Sequence, residues 1–240
     1  MLKVTRTKKP DSLDKNADQW TKELLYEINK QGGKYSKVED KYKNRYKKAD
    51  VLNALRKMYK SRCCYCESIF SATSFENIEH LKPKSNPSFY HLTFDWDNLH
   101  YCCTVCNINK KAKWDFTNPI LDPTKDDVER LLIFNDATAE FEALSGNPRA
   151  KTTINHTDMN RFALVKARKD IIGDAIYFYK GLDNVDRKKE YINYLKQIKN
   201  ERPYLTVYNT LIEYFQNDIN GSAWFMKNAI NRDFSYLSNR

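Results

Sequence analysis

Glycine and proline are scarce in this chain, at 6 and 7 of 240 residues. That excludes collagen-like and low-complexity architectures. Long apolar runs are missing too: stretches such as Leu131–Phe134 span only a few residues, and the mean hydropathy is −0.77. Nothing approaches the roughly 18 residues of a membrane span, so no membrane association is expected. Met1–Pro10 carries four basic residues with no apolar segment behind them. No secretory signal is therefore expected, and the cytosol is the expected compartment. The chain has no Gly-x-x-x-x-Gly-Lys loop and no Gly-x-Gly-x-x-Gly loop, so it lacks the common sequence signatures of a nucleotide site.

What is present can build a core. Hydrophobic residues make up 41%, 13% of the chain is aromatic, and 30% is charged, which excludes wholesale disorder. The formal net charge is +10 and uneven: residues 1–62 carry +10, residues 121–160 carry −4, and residues 161–240 carry +5. Basic ends suit a polyanionic partner, nucleic acid first. They suit a solvated surface equally well, so charge alone leaves the two readings even.

Helical spacing of Trp20, Leu24, Leu25 and Ile28 predicts a helix over Asp18–Lys30, stopped by Gln31-Gly32-Gly33. The Lys- and Tyr-rich stretch Lys34–Lys48, with no apolar face, reads as an exposed loop or fraying helix. Asp50 is a candidate cap for a helix burying Val51, Leu52, Leu55 and Met58. Cys63–Trp114 shows short strand-like runs with turns at Lys82-Pro83 and Asn86-Pro87. Asp127–Phe134 and Glu140–Leu144 read as short elements around a turn at Gly146-Asn147-Pro148. Helices are expected over Met159–Phe178, Arg187–Asn200 and beyond Pro203 through Phe215. The expected fold is mainly α, with a small ββα centre between helical parts: 1–61, 62–118 and 119–240.

All six cysteines fall in two clusters, and two Cys-x-x-Cys pairs can be drawn: Cys63/Cys66 and Cys103/Cys106. In a reducing compartment thiolates hold metal more readily than they form disulfides, and two such turns complete a tetrahedron around Zn²⁺. Cys64 and Cys102 read as small buried residues. A structural zinc ribbon would explain this much and nothing more.

The residues between and after the pairs carry further chemistry. Adjacent Glu79 and His80 offer a hard oxygen ligand and a base that titrates near neutrality. On an extended strand they point to opposite sides, so serving one substrate requires a break, and Pro83 is consistent with one. With Cys63–Cys66, Glu79-His80-Leu81-Lys82-Pro83, Asn98-Leu99 and Cys103-Thr104-Val105-Cys106-Asn107 in order, residues 62–114 resemble the HNH endonuclease family in its zinc-ribbon form. The resemblance implies that His80 is the general base and that Glu79 and Asn107 hold one Mg²⁺ or Mn²⁺. Asn98 would orient His80 or its loop. Lys82, Lys84, Lys110 and Lys111 are candidate phosphate contacts. His91, His100 and His156 read as structural or surface residues, with His100 the better outsider.

Cys63–Glu67, Ile78–Ser85, Ile120–Thr124 and the later Thr153-Ile154, Asn160-Arg161 and Ala167-Arg168 are similar to the PtuB group, HNH effectors of Septu anti-phage systems that also occur in retron systems. That resemblance implies an ABC-type ATPase partner of the PtuA kind, nucleic acid as substrate with DNA first and RNA or tRNA second, and, in a retron setting, a reverse transcriptase with its RNA/DNA product. The ATPase would bind through Trp20–Met58 and Phe162–Phe215. The rival readings are a non-catalytic zinc-ribbon adaptor, which would have no use for the Glu79-His80, Asn98 and Asn107 set, and a standalone nuclease.

Overall fold

The computed structural model describes residues 1–69 and 76–221. Residues 70–75 of the expected central module, and the end of the C-terminal part from residue 222, lie outside the described residues. The first helix, α1 (Asp11–Lys30), starts earlier than expected. Pro10 precedes it with its fixed φ, Asp11 and Asp14 sit in the first turn, and Leu13 and Ala17 extend the buried face of Leu24 and Ile28. Gly32 and Gly33, both at positive φ, end it. The stretch read as an exposed loop or fraying helix folds into a short 3₁₀ turn and α2 (Asp40–Lys43), but it is not wholly exposed: it buries Val38 and Tyr46. In α3 (Ala49–Met58), Val51, Leu55 and Met58 face inward as expected. Asp50 is not its cap. Its carboxylate accepts from the Ser12 amide at 2.9 Å and the Ser12 hydroxyl at 2.8 Å, tying α3 to the first turn of α1.

The centre is an antiparallel pair, β1 (Glu76–His80) and β2 (Leu99–Cys103), with Glu76 opposite Cys103 and His80 opposite Leu99. α4 (Thr104–Lys110) follows β2 without a break and packs on both strands. Beyond the buried Ile120-Leu121 connection come α5 (Val128–Leu131) and a hairpin of β3 (Leu132–Asn135) and β4 (Glu140–Ala143). The hairpin turns at residues 136–139, where Asn135 Oδ1 accepts from the amides of Ala137 and Thr138. The expected turn residue Asn147 instead caps α6 (Pro148–Thr157), accepting from the Ala150 amide, with Pro148 in the first turn. α6 escaped the sequence reading because its buried face, Ala150, Thr153 and Thr157, is small and half polar. α7 (Phe162–Lys180), α8 (Val185–Ile198) and α9 (Leu205–Ile219) complete the described chain.

Buried side chains form two clusters. One joins Met1, α1, α3, the cysteines, β2 and the segment 120–164; the other joins α7, α8 and α9 from Ile172 to Phe215. α7 serves both, with Leu164 in the first and Ile172 in the second. Residues flanking the first cysteine pair hold the C-terminal helices in place. Arg62 donates to the carbonyls of Lys199, Asn200 and Arg202, and the buried Glu67 carboxylate accepts from the amide and hydroxyl of Thr206. No helix among the described residues is long and apolar enough to cross a membrane.

Candidate functional site

The first cysteine pair lies in a loop after α3, pinned to β2 by the Cys64 amide on the Tyr101 carbonyl at 2.8 Å. In the second pair, Cys103 ends β2 and caps α4, with Sγ accepting from the Cys106 amide at 3.4 Å. The sulfurs of Cys63, Cys66, Cys103 and Cys106 all lie within 4.8 Å of one another and are buried. All six thiols are free, and the 3.8 Å between Cys66 and Cys103 Sγ is far beyond a disulfide bond. This buried cluster can hold a metal ion. Arg161 places Nη1 3.4 Å from Cys106 Sγ, a cation against sulfurs that would be thiolates. Cys64 and Cys102 are buried as expected, and burial pushes both thiols up. Cys102 is nonetheless close to the cluster, with its Sγ 3.8 Å from that of Cys63.

β1 ends at His80, and the chain bends at Leu81-Lys82. Glu79 and His80, like the rest of β1, line one cleft of about 720 Å³. Asn107 lines the same cleft from α4, along with Tyr46, Lys47, Lys48, Lys84 and Lys111. His80 is 5% exposed. Its Nε2 donates to the Thr93 carbonyl at 2.9 Å, so Nδ1 keeps the lone pair. The Tyr46 ring stands edge-on to the imidazole, with centroids 4.5 Å apart. Burial, then the Lys84 charge, pushes His80 down to about 3, which leaves the ring neutral at physiological pH.

The end of α4 separates two neighbouring lysines. Cys106 and Lys110, four residues apart in the helix, share its buried face; Lys111 follows the helix with φ at +48° and lines the cleft together with Asn107. Lys110, expected as a phosphate contact, is fully buried instead. Its ammonium lies 2.5 Å from Glu79 Oε1 and donates to the His80 carbonyl at 2.8 Å. Tyr65 Oη donates to the same Glu79 oxygen at 3.4 Å. Burial pushes the Glu79 carboxyl up, and Lys110 pulls it back down. That pairing of Lys110 is a role the sequence reading missed, although the spacing to Cys106 carries the signal.

Asn98 acts where the resemblance places it, on the loop after His80. Its Oδ1 accepts from the Lys82 amide at 2.8 Å, and its Nδ2 donates to the carbonyls of Lys82 and Leu92. It does not line the cleft, so it is a positioning residue and not a catalytic one. Lys82 reaches over the Phe89 ring, 5.8 Å from its centroid, outside the cleft. Lys84 Nζ donates to Tyr46 Oη at 2.6 Å and to Asn44 Oδ1 at 3.4 Å, both neutral partners. Burial, with Lys47 and Lys43 nearby, pushes it down to about 8. His100 is buried and structural: Arg6 Nη2 faces its Nε2 and Tyr59 Oη its Nδ1. His91 is exposed, and His156 lies in the last turn of α6.

Two outcomes follow from these buried charges. Lys110→Met strands a buried carboxylate and should cost about 3–5 kcal/mol in urea denaturation. Adding Glu79→Gln should recover part of that loss, whereas a merely packing role for Lys110 would give additive losses. Lys84 releases its proton near pH 8 in the folded chain but only near ~10.4 when unfolded. Across that window the unfolded chain binds more protons, so the group's contribution to stability rises with pH; below it the buried charge carries its full cost. Wild type should therefore gain about 1–3 kcal/mol relative to Lys84→Met between pH 7 and pH 10. Parallel stability curves for the two proteins would contradict this.

No family model matches the chain. The Septu protein PtuB of Bacillus mycoides (strain KBAB4) is 30% identical over 225 residues, covering 79% of this chain and 76% of that protein. The Septu protein PtuB of Bacillus thuringiensis is 26% identical over 175 residues, covering 72% of this chain and 60% of that protein. The identity and coverage, together with the Cys63–Glu67 and Ile78–Ser85 segments of the site, place the chain in the family of the Septu protein PtuB.

Proposed function

We propose that this chain is a metal-dependent endonuclease of the HNH type that hydrolyses nucleic-acid phosphodiester bonds, DNA first. It would serve as the effector of a Septu anti-phage system alongside an ABC-type ATPase of the PtuA kind. The observation that carries the reading is the shared cleft: Glu79, His80 and Asn107 line it together, with Lys47, Lys48, Lys84 and Lys111 around them. An adaptor has no need of a neutral histidine with one nitrogen anchored and the other free beside a row of cations.

His80 Nδ1 takes a proton from the attacking water as the water oxygen bonds to phosphorus and the P–O bond to the leaving sugar oxygen breaks. Nε2–H stays on the Thr93 carbonyl, which steadies the imidazolium as it forms. Lys84 and Lys111 offset charge on the phosphate oxygens. Glu79 and Asn107 would hold Mg²⁺ or Mn²⁺, which when bound stabilises charge on the leaving oxygen. The donor set suits a hard cation: one carboxylate whose Oε1 already has its protein partners, and one amide oxygen. The four-cysteine cluster would hold structural Zn²⁺. Zn–S bonds of about 2.3 Å in a tetrahedron set the sulfurs about 3.8 Å apart, the Cys66–Cys103 separation is 3.8 Å, and both observations support zinc. Exposed Leu25, Tyr26, Tyr177, Phe178 and Tyr194 on the flanking helices suit a surface for the ATPase.

His80→Ala should keep the fold and the zinc while lowering Mg²⁺-dependent cleavage of DNA or RNA by roughly 10²–10⁴-fold. The assay uses the chain purified with its genomic neighbour, and undiminished cleavage would rule out this base. Cys66→Ser or Cys106→Ser should yield unfolded protein, because a structural zinc site contributes roughly 10 kcal/mol or more to folding. Elemental analysis of wild type should give one zinc per chain, and a well-folded metal-free protein would count against the site.

A further inference from the structure

Close in sequence to two walls of the cleft, the chain presents one aromatic ring to solvent. Phe116 is 66% exposed, although it lies in a segment held firmly in place. Asp115 Oδ1 accepts from the amides of Thr117 and Asn118, at 2.8 and 2.9 Å, and so fixes the turn that carries the ring. Phe116 stacks on Phe89, with centroids 5.7 Å apart and planes 28° apart, and Phe89 is wedged edge-on against Trp114 at 5.2 Å. One face of a buried ring thus supports one face of an exposed ring.

Two short stretches of chain link the platform to residues of the cleft wall. Phe89 lies in the 3₁₀ turn Pro87–Leu92, directly after Pro83, Lys84 and Ser85 of the cleft wall. Trp114 and Phe116 follow Lys111 of the cleft rim by three and five residues. The surroundings are mostly cationic. Lys82 reaches over Phe89, and Lys111 and Lys113 are exposed, against the single carboxylate of Asp115, whose Oδ1 is engaged by its own turn.

We infer that Phe116, backed by Phe89 and Trp114, is a stacking platform for an unpaired nucleobase of the strand whose phosphate occupies the cleft. The inference rests on the endonuclease reading above and goes further: it assigns single-stranded segments, loops or frayed ends as the preferred substrate over intact duplex. A paired base hides its faces in its own stack, whereas an unpaired base offers one to the ring, and lysines beside the ring hold the backbone. Stacking reads the π-face common to every base, so the platform favours strandedness over sequence. An apolar patch for a protein partner would have no use for the Lys82 ammonium over Phe89 and the exposed Lys111 and Lys113 on the same stretch of chain.

The test uses the full chain carrying His80→Ala, which blocks cleavage, and fluorescence anisotropy with three labelled 20-mers: oligothymidylate, oligouridylate and a mixed-sequence DNA duplex. The parent should bind the single strands more tightly than the duplex, and the two single-strand arms report whether DNA or RNA fits better. Phe116→Ala should weaken single-strand binding by roughly 5- to 100-fold and duplex binding by less than about 2-fold, because duplex affinity rests on the lysines. Phe116→Trp should restore single-strand affinity. Ile133→Ala, at an exposed apolar residue of β3, should change neither. Equal losses on all probes, or none, would overturn the platform and leave the patch to a protein partner. If the parent binds none of the three, the endonuclease reading itself fails, which is a separate result from a parent that binds and a Phe116 variant that binds equally well.

Discussion

The ion pair between Glu79 and Lys110 is the contact on which the rest of the site depends. Both groups are buried, and a buried charge persists only with a partner. Lys110 also holds the His80 carbonyl, so one ammonium fixes the end of β1 to the end of α4. The cysteine cluster fixes the other end of α4, through Cys103 and Cys106. A helix of seven residues clamped at both ends has no freedom to rotate, so Asn107 is left facing the cleft, which Lys111 lines from just past the helix end. Asn98 performs the matching task on the far side, closing the loop that follows His80.

The cleft is built at a cost to stability. Lys84 is held among neutral partners, Tyr46 and Asn44, with other lysines nearby. A cation in that position costs stability, and under the proposed function a bound phosphate would offset that cost. His80 is kept neutral by the same lysines and by burial, and its anchored Nε2 leaves a single nitrogen for proton transfer. The charge excess in the first 62 residues thus has a local use: Lys47 and Lys48 come from that segment and form one wall of the cleft.

Much of this was legible in the residues, because covalent spacing dictates it. Two equal Cys-x-x-Cys turns converge on one cluster, and the Glu79-His80 pair lines one cleft. Helix α3 follows its apolar face, while α6 was hidden because Ala150, Thr153 and Thr157 bury without a hydrophobic stripe. Tyr46 was misread because its neighbours are lysines, and only tertiary contact with His80 and Lys84 shows that it belongs inside. The Thr93 carbonyl could not be found by any motif, since every residue carries one. Lys110 and Lys111 look equivalent as a basic pair. What separates them is the end of α4: the helix puts Lys110 with Cys106 inside, whereas Lys111, past the last helical residue and at positive φ, lines the cleft.

The central claim is that one chain carries two cation sites of opposite character: a closed sulfur site that holds the fold, and an open oxygen site in the cleft that acts on phosphate. Anomalous diffraction separates them directly. Crystals of the His80→Ala chain soaked with Mn²⁺ and a phosphorothioate oligonucleotide should show a zinc-edge peak among Cys63, Cys66, Cys103 and Cys106, and a distinct manganese-edge peak between Glu79, Asn107 and the phosphate. Manganese absent from the cleft with the oligonucleotide bound, or found only at the cysteines, would contradict the account.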